Sequence, residues 1–197
     1  MRVGLATANE KKRAEIEDIL AELDVELVPM TELGVDSPVE DGETFEDNAL
    51  IKARALARAT GLPAIADDSG LEVDALGGAP GVRSARYAGE HATDADNNEK
   101  LLAELAHHPE ETWTARFVCA VALVTPDGDE RVVRGHMEGR IIEEPRGSNG
   151  FGYDPLFVSA GESRTNAELP SEVKHAHSHR GAALRALRPH VAELLRR

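Results

Sequence analysis

The sequence predicts an α/β fold, and three observations carry that prediction. Short apolar strand patterns alternate with helices whose apolar residues recur on one face. A continuous apolar run, Phe117–Val124, has the pattern of a strand buried on both faces. A pair of carboxylates, Asp67-Asp68, directly follows the short apolar run Leu62–Ala66, and strand ends are where open α/β sheets bind ligands. At 197 residues the chain fits one domain with room for two lobes and a sizeable core.

Composition narrows the function. A net charge of -14 argues against a general nucleic-acid binder, whose footprint would be basic. It leaves room for a phosphorylated small ligand, which needs only a local positive pocket. No stretch approaches the length of a membrane span, and MRVGLATANEKK has no extended apolar region of a secretion signal. The single cysteine, Cys119, cannot form an internal disulfide and fits a reducing cytoplasm.

Taken in order, Arg2–Ala6 reads as a strand and Thr7-Ala8-Asn9 as a turn. A helix from about Glu10 follows, with Ile16, Ile19, Leu20 and Leu23 on one face and Asn9 as its N-cap. The open helix N–H groups, the Thr7 hydroxyl and the Lys12 ammonium are anion-binding chemistry without the glycines of a P-loop. Lys12 lies on the side of Ile16 and Leu23 and so leans inward; the plainer alternative is a lysine snorkelling off a buried face. Val25–Val28 is a second strand. The polar loop Pro29–Gly42 runs into the acidic stretch Glu40-Asp41-Gly42-Glu43. Thr44 and Asp47 then form a capping box for a helix reaching about Thr60. Its stripe is Phe45, Ala49, Ala53, Leu56 and Ala57, with Lys52 at the margin. Two inward lysines and two acidic loops are the ingredients of a metal-phosphate site.

The segment Ala66–Gly81, ADDSGLEVDALGGAPG, is the centre of the pattern. Asp67 and Asp68 are expected at the end of the strand, with Ser69-Gly70 turning the chain and Gly77, Gly78, Pro80 and Gly81 forming a second tight loop. Such carboxylates can hold Mg²⁺, activate a water, or do both; the plainer reading is a solvated acidic turn. Val82–Gly89 is irregular, and Thr93 to about His107 is a helix. Pro126–Asp129 is a turn, and Arg131–Ile142 returns as the second arm of a long hairpin. Cys119 sits inside the buried run, where burial disarms a thiol.

Gly147–Asp154 is glycine-rich but is not followed by a helix, so it fails as a dinucleotide loop. Its Phe151 and Tyr153 are either core plugs or a platform for stacking a base. A last helix begins at Ser178, with Leu184, Leu187, Val191 and Leu194 in phase and a kink expected at Pro189. Of His175, His177 and His179, only the first and last would share a helical face, and no further Cys or His has the usual zinc spacing. His179-Arg180 places a cation in the first turn, against the helix dipole. Local rules broken in this way tend to mark functional sites.

The segments TANEKK, FEDNALIKA, AIADDSGLEVDALGGAPGVRSARYAG, GFGYDPLF and AELPSEVKHAHSHRGAAL together resemble the inosine triphosphate pyrophosphatase family, from Arg2 to about Leu195. The family hydrolyses non-standard purine nucleoside triphosphates such as ITP, dITP and XTP. The resemblance implies a long twisted mixed sheet flanked by helices, in two lobes with a central substrate cleft, the whole chain 1–197 forming one pyrophosphatase domain. It implies that Thr7, Ala8, Asn9, Glu10, Lys11 and Lys12, helped by Lys52, grip the phosphates. Asp68 would take a proton from water and, with Glu40, bind Mg²⁺; Asp67 is a further candidate ligand. Ser69 would contact substrate. Phe151, Gly152, Tyr153, Asp154, Lys174, Ser178, His179 and Arg180 would surround the base, with Phe151 stacking on it and Arg180 near position 6. A homodimer is implied, with no nucleic-acid or membrane partner. Val173 and His177 depart from the family pattern beside the base, which puts fine specificity in doubt rather than activity.

Two other readings compete. One is a Maf-type pyrophosphatase acting on other modified nucleotides; the other is a nucleotide-binding regulator without chemistry. A haloacid-dehalogenase-type phosphatase would want Asp-x-Asp, which Asp68-Ser69-Gly70 does not supply.

Overall fold

Val3, Gly4 and Leu5 are fully buried in β1 (Arg2–Leu5), as their apolar pattern requires. The computed structural model describes residues 1–170, 173 and 178–196, with Lys11 described through its backbone alone. Helix α1 (Glu10–Leu20) follows the turn, and β2 (Glu26–Pro29) returns parallel to β1. Helix α2 (Phe45–Thr60) starts at Thr44, whose hydroxyl oxygen accepts the Asp47 N–H at 3.1 Å. The Asp47 carboxylate meets the Thr44 hydroxyl (2.7 Å). Gly61, with φ +66°, ends the helix in the left-handed conformation that glycine adopts without penalty.

The next strand departs from the sequence expectation. Ser69-Gly70 is not a turn: β3 runs unbroken from Ala64 to Val73. Glycine serves a close approach here. A Cβ at Gly70 would lie 2.4 Å from Ser84 Oγ and 2.6 Å from the Gly81 carbonyl oxygen. The Ser84 hydroxyl oxygen instead accepts the Leu71 N–H (2.8 Å), so the segment Gly81–Arg86, a 3₁₀ helix, packs directly on the strand. Asp67 and Asp68 are therefore interior strand residues. β3 pairs parallel with β1, Gly4 opposite Ala64 and Leu5 opposite Ile65.

Helix α3 (Asp94–Leu105) carries the full capping box of Thr93 and Asp96. β4 (Thr114–Val124) and β5 (Glu130–Ile141) are neighbours joined by the expected turn. A short strand that the sequence pattern did not reveal, β6 (Phe157–Ser159), pairs antiparallel with β5. Helix α4 (His179–Leu194) continues through Pro189. Among the described residues the strands form one six-stranded mixed sheet, ordered β2-β1-β3-β4-β5-β6.

The chain divides into two compact units: Met1–Asp68, Cys119–Gly135 and Arg180–Arg197 in the first, Ser69–Val118 and His136–His179 in the second. Each has its own core. The first packs Leu5, Ile16, Leu20, Ile65, Val121, Leu184 and Leu187. The second packs Leu71, Leu101, Trp113, Phe117, Tyr153 and Phe157. Among the described residues no helix is long and apolar enough to cross a membrane.

Candidate active site

In the first unit, charged side chains are buried in two groups, one around each aspartate. Asp67 Oδ2 is 3.2 Å from Lys12 Nζ on α1 and accepts a 3.1 Å hydrogen bond from Arg180 Nε on α4. Arg180 Nη1 also donates to Glu15 Oε2 at 2.5 Å, so one guanidinium bridges two buried carboxylates. This accounts for a cation in the first turn of α4: it answers two anions, not the helix dipole. Burial alone would raise the Asp67 carboxyl; Lys12, Arg180 and Lys52 together outweigh it and hold the group well below the usual range. Its Oδ1 is buried and has no hydrogen-bond partner among the described residues.

Asp68 meets α2 instead. Asn48 Nδ2 donates to its Oδ2 at 3.1 Å, and Lys52 Nζ lies 3.8 Å from Oδ1. Lys52 Nζ also donates to Glu40 Oε2 at 2.9 Å. Asn48 Oδ1 accepts the Gly42 N–H (2.9 Å), which ties the acidic loop to the same helix. Burial dominates at Asp68 and lifts its carboxyl above the ordinary value, although Lys52, Lys12 and the Asn48 hydrogen bond pull the other way. Lys52 is buried too, yet Asp67, Asp68 and Glu40 overcome that penalty and raise its ammonium. Environments that push neighbouring groups apart are the usual mark of an acid–base site.

The turn before α1 caps the helix as expected. Asn9 Oδ1 accepts the Lys12 N–H (3.1 Å), and Thr7 Oγ1 accepts the Asn9 N–H (3.2 Å). Thr7, Ala8, Asn9, Glu10, Lys12, Glu40, Lys52, Asp67, Asp68 and Arg180 all belong to the first unit. The Lys11 side chain is outside the described residues. Ser69, Phe151, Gly152, Tyr153, Asp154, Ser178 and His179 belong to the second unit. Of the two alternatives left open for Phe151 and Tyr153, Tyr153 takes the core-plug one: it is buried, and its hydroxyl donates to the Ser84 carbonyl (2.8 Å). Phe151 is only partly buried, and its N–H donates to Asp154 Oδ2 at 3.0 Å. His179 stacks on Phe117, ring centroids 5.0 Å apart at 14°. Ser178 is buried beside it in sequence. Lys174 lies outside the described residues, as do His175 and His177 of the zinc reading.

Two residues of the first unit escaped the sequence reading. Asn48 and Glu15 are polar residues on the buried faces of α2 and α1, one helical turn from Lys52 and Lys12. That spacing was the available signal.

A Mg²⁺ ion can be tested against these donors. Among the described residues no three His, Cys, Asp or Glu side chains gather closely enough to hold an ion unaided. Mg²⁺ does not require that: it takes one or two carboxylates and completes its shell with water and substrate phosphate. Glu40 and Asp68 are hard oxygen donors already held around one cation, the Lys52 ammonium. The donor set fits.

Residues 3–190 match the model of the Ham1 family. The chain belongs to the Ham1 family. It is 54% identical to a protein of Corynebacterium diphtheriae named dITP/XTP pyrophosphatase, over 98% of this chain and 97% of that protein. A solved Ham1 protein of Coxiella burnetii superposes with a TM-score of 0.92 at 45% identity, covering 98% of this chain and 99% of the other. A solved Mycobacterium abscessus protein, titled nucleoside-triphosphatase / dITP/XTP pyrophosphatase, gives 0.81 at 54% identity, covering 95% and 98%. The Ham1 matches agree with the α/β mixed sheet described above.

Proposed function

We propose that this Ham1 protein hydrolyses non-standard purine nucleoside triphosphates, dITP, XTP and ITP among them, to the monophosphate and pyrophosphate. The observation that carries the chemistry is the unequal pair: Asp67 held ionised by three cations, Asp68 lifted by burial beside Lys52. A carboxylate with raised basicity is the better proton acceptor. Asp68 takes a proton from the attacking water, the oxygen bonds to the α-phosphorus, and the bond to pyrophosphate breaks. Asp67 fixes Lys12 and Arg180, keeping positive charge in the first unit. Lys12, Lys52 and the N-terminal end of α1 bind phosphate oxygens. Glu40 and Asp68 would hold Mg²⁺, which when bound supplies neutralisation of triphosphate charge.

The substrate class rests on the names of the relatives, and the second unit supplies groups suited to a base. Phe151 is partly exposed, and Ser178 and His179 supply polar atoms in the same unit. Arg180 acts through Asp67 as a positioning residue. We further propose that residues 1–197 work as one two-lobed pyrophosphatase domain, as a homodimer in the cytoplasm.

The test is pyrophosphate release from ITP, dITP, XTP and the common nucleotides, each with and without Mg²⁺. Preference for the 6-keto, non-standard purines together with Mg²⁺ dependence supports the reading. Equal rates on modified pyrimidines would favour a Maf-type enzyme, and binding without turnover would leave a regulator.

A further inference from the structure

The segment Phe151–Asp154 is held from several sides within the second unit. Asp154 accepts the Phe151 N–H on Oδ2 and the Asn166 amide on Oδ1 (3.2 Å). Tyr153 is anchored in the core and on Ser84. Gly150, at φ +77°, leaves no room for a side chain, since a Cβ would lie 2.1 Å from Asp154 Oδ2. Helix α3 takes both backbone groups of Gly152. The Gly152 N–H donates to Asp94 Oδ2 at 2.7 Å, and Asn98 Nδ2 donates to the Gly152 carbonyl at 3.1 Å. Asp94 and Asn98 are four residues apart, so they share a helical face.

Helix stability does not require this pair. Thr93 and Asp96 already cap α3. Asn98 also breaks a local rule: its Oδ1 is buried without a hydrogen-bond partner among the described residues. An apolar side chain there would avoid that desolvation, so what the amide offers is its donation to Gly152.

We infer that Asp94 and Asn98 form a clamp on the Gly152 peptide that sets the position of the adjacent Phe151 ring, making both positioning residues for base recognition. The inference rests on the reading in which Phe151 stacks on the purine. Without the clamp the segment samples other conformations, and apparent affinity falls by the fraction of time spent in the competent one. That loss touches the base and not the phosphates.

The experiment compares Asp94→Ala, Asp94→Asn, Asn98→Ala, Phe151→Ala and the double variant Asp94→Ala/Phe151→Ala. The readings are KM and kcat on ITP, the inhibition constant of inorganic tripolyphosphate, and hydrogen exchange across residues 148–156. Asp94→Ala and Asn98→Ala should each raise KM for ITP by about 3- to 10-fold, with kcat within about two-fold. Tripolyphosphate inhibition, which involves no base, should be unchanged, and exchange of the segment should speed up. Asp94→Asn, which keeps an acceptor, should recover much of the loss. In the Phe151→Ala background, Asp94→Ala should add little. A raised KM in Phe151→Ala with none in the clamp variants would overturn the clamp and leave base stacking standing. An unchanged KM in Phe151→Ala would overturn the stacking reading and the inference with it. Equal weakening of tripolyphosphate would reveal a general structural role and overturn the clamp as well.

Discussion

Replacing Arg180 with methionine removes one cation from two buried carboxylates at once. The Arg180 and Glu15 side chains are 3% and 6% exposed and meet at 2.5 Å, so solvent cannot take over the lost partner. Asp67 keeps Lys12 at 3.2 Å, but Glu15 loses that ion pair. Breaking a buried pair by removing one member costs about 3–5 kcal/mol. Against the roughly 5–15 kcal/mol that holds a typical domain together, that is a large fraction. At roughly 2–4 °C per kcal/mol for a chain of this size, Tm should fall by about 6–20 °C. Urea unfolding should show a lower midpoint with an unchanged slope, which separates lost stability from a changed denatured state. Glu15→Gln/Arg180→Met should be less destabilised than the two single losses summed, with a coupling on the order of 1–3 kcal/mol. If Arg180→Met lies within about 1 kcal/mol of wild type, or if the double variant is additive, the guanidinium is not the counter-charge described here.

Asp68→Asn should lower turnover by at least ~100-fold, the usual loss of a general base, and near-normal turnover would remove Asp68 from that role. The same variant should be no less stable than wild type at neutral pH. A raised carboxyl binds its proton more readily in the folded state, so stability falls as pH rises through that group's titration, and the neutral amide escapes the loss; a lower urea midpoint at pH 7 would contradict this. Asp67 has the opposite sign. Its depressed carboxyl contributes stability above the unfolded value of about 3.9 that is lost on acidification below it, so Asp67→Asn should flatten the acid limb of a stability–pH curve. Lys12→Met and Lys52→Met should weaken triphosphate binding, measured as KM, and Lys52→Met should also move the acid limb of kcat/KM to higher pH by removing the ammonium beside Asp68. Gly70→Ala should cost roughly 1–3 kcal/mol from overpacking against Ser84 and Gly81, read as a shift in urea midpoint.

The first unit was legible in the sequence wherever a local rule decided the outcome. Asn9 and Thr44 cap the helices their types and positions announce, and Lys12 and Lys52 lean inward as their place on the apolar faces requires. Cys119 was expected to be disarmed; burial pushes its thiol up to about 12. What stayed hidden depends on contacts between segments distant in sequence. Ser69-Gly70 looks like a turn because glycine after serine usually bends the chain, whereas here the glycine makes space for Ser84, fourteen residues later. Arg180 shows in the sequence only as a cation in the first turn of a helix; its buried partners Glu15 and Asp67 lie on two other elements. β6 has three residues, too few for a period to show.

The position of Asp67 and Asp68 inside β3 explains why adjacent, identical residues differ. Successive side chains of a strand leave opposite faces of the sheet. Asp67 shares its face with Ile65 and meets α1 and α4; Asp68 emerges on the other face and meets α2. A turn at this point, as the sequence suggested, would have let the two carboxylates converge on one ion. A continuous strand separates them: Asp67, the more deeply buried, faces Lys12 and Arg180, whereas Asp68 faces Asn48 and Lys52. The division therefore depends on register, because a slip of one residue would exchange the two faces. That register is fixed by β1, through Ala6 N–H to Ile65 O and Gly4 N–H to Pro63 O, both 2.8 Å. The buried strand that opens the chain is thus part of what decides which aspartate faces α1 and α4 and which faces α2.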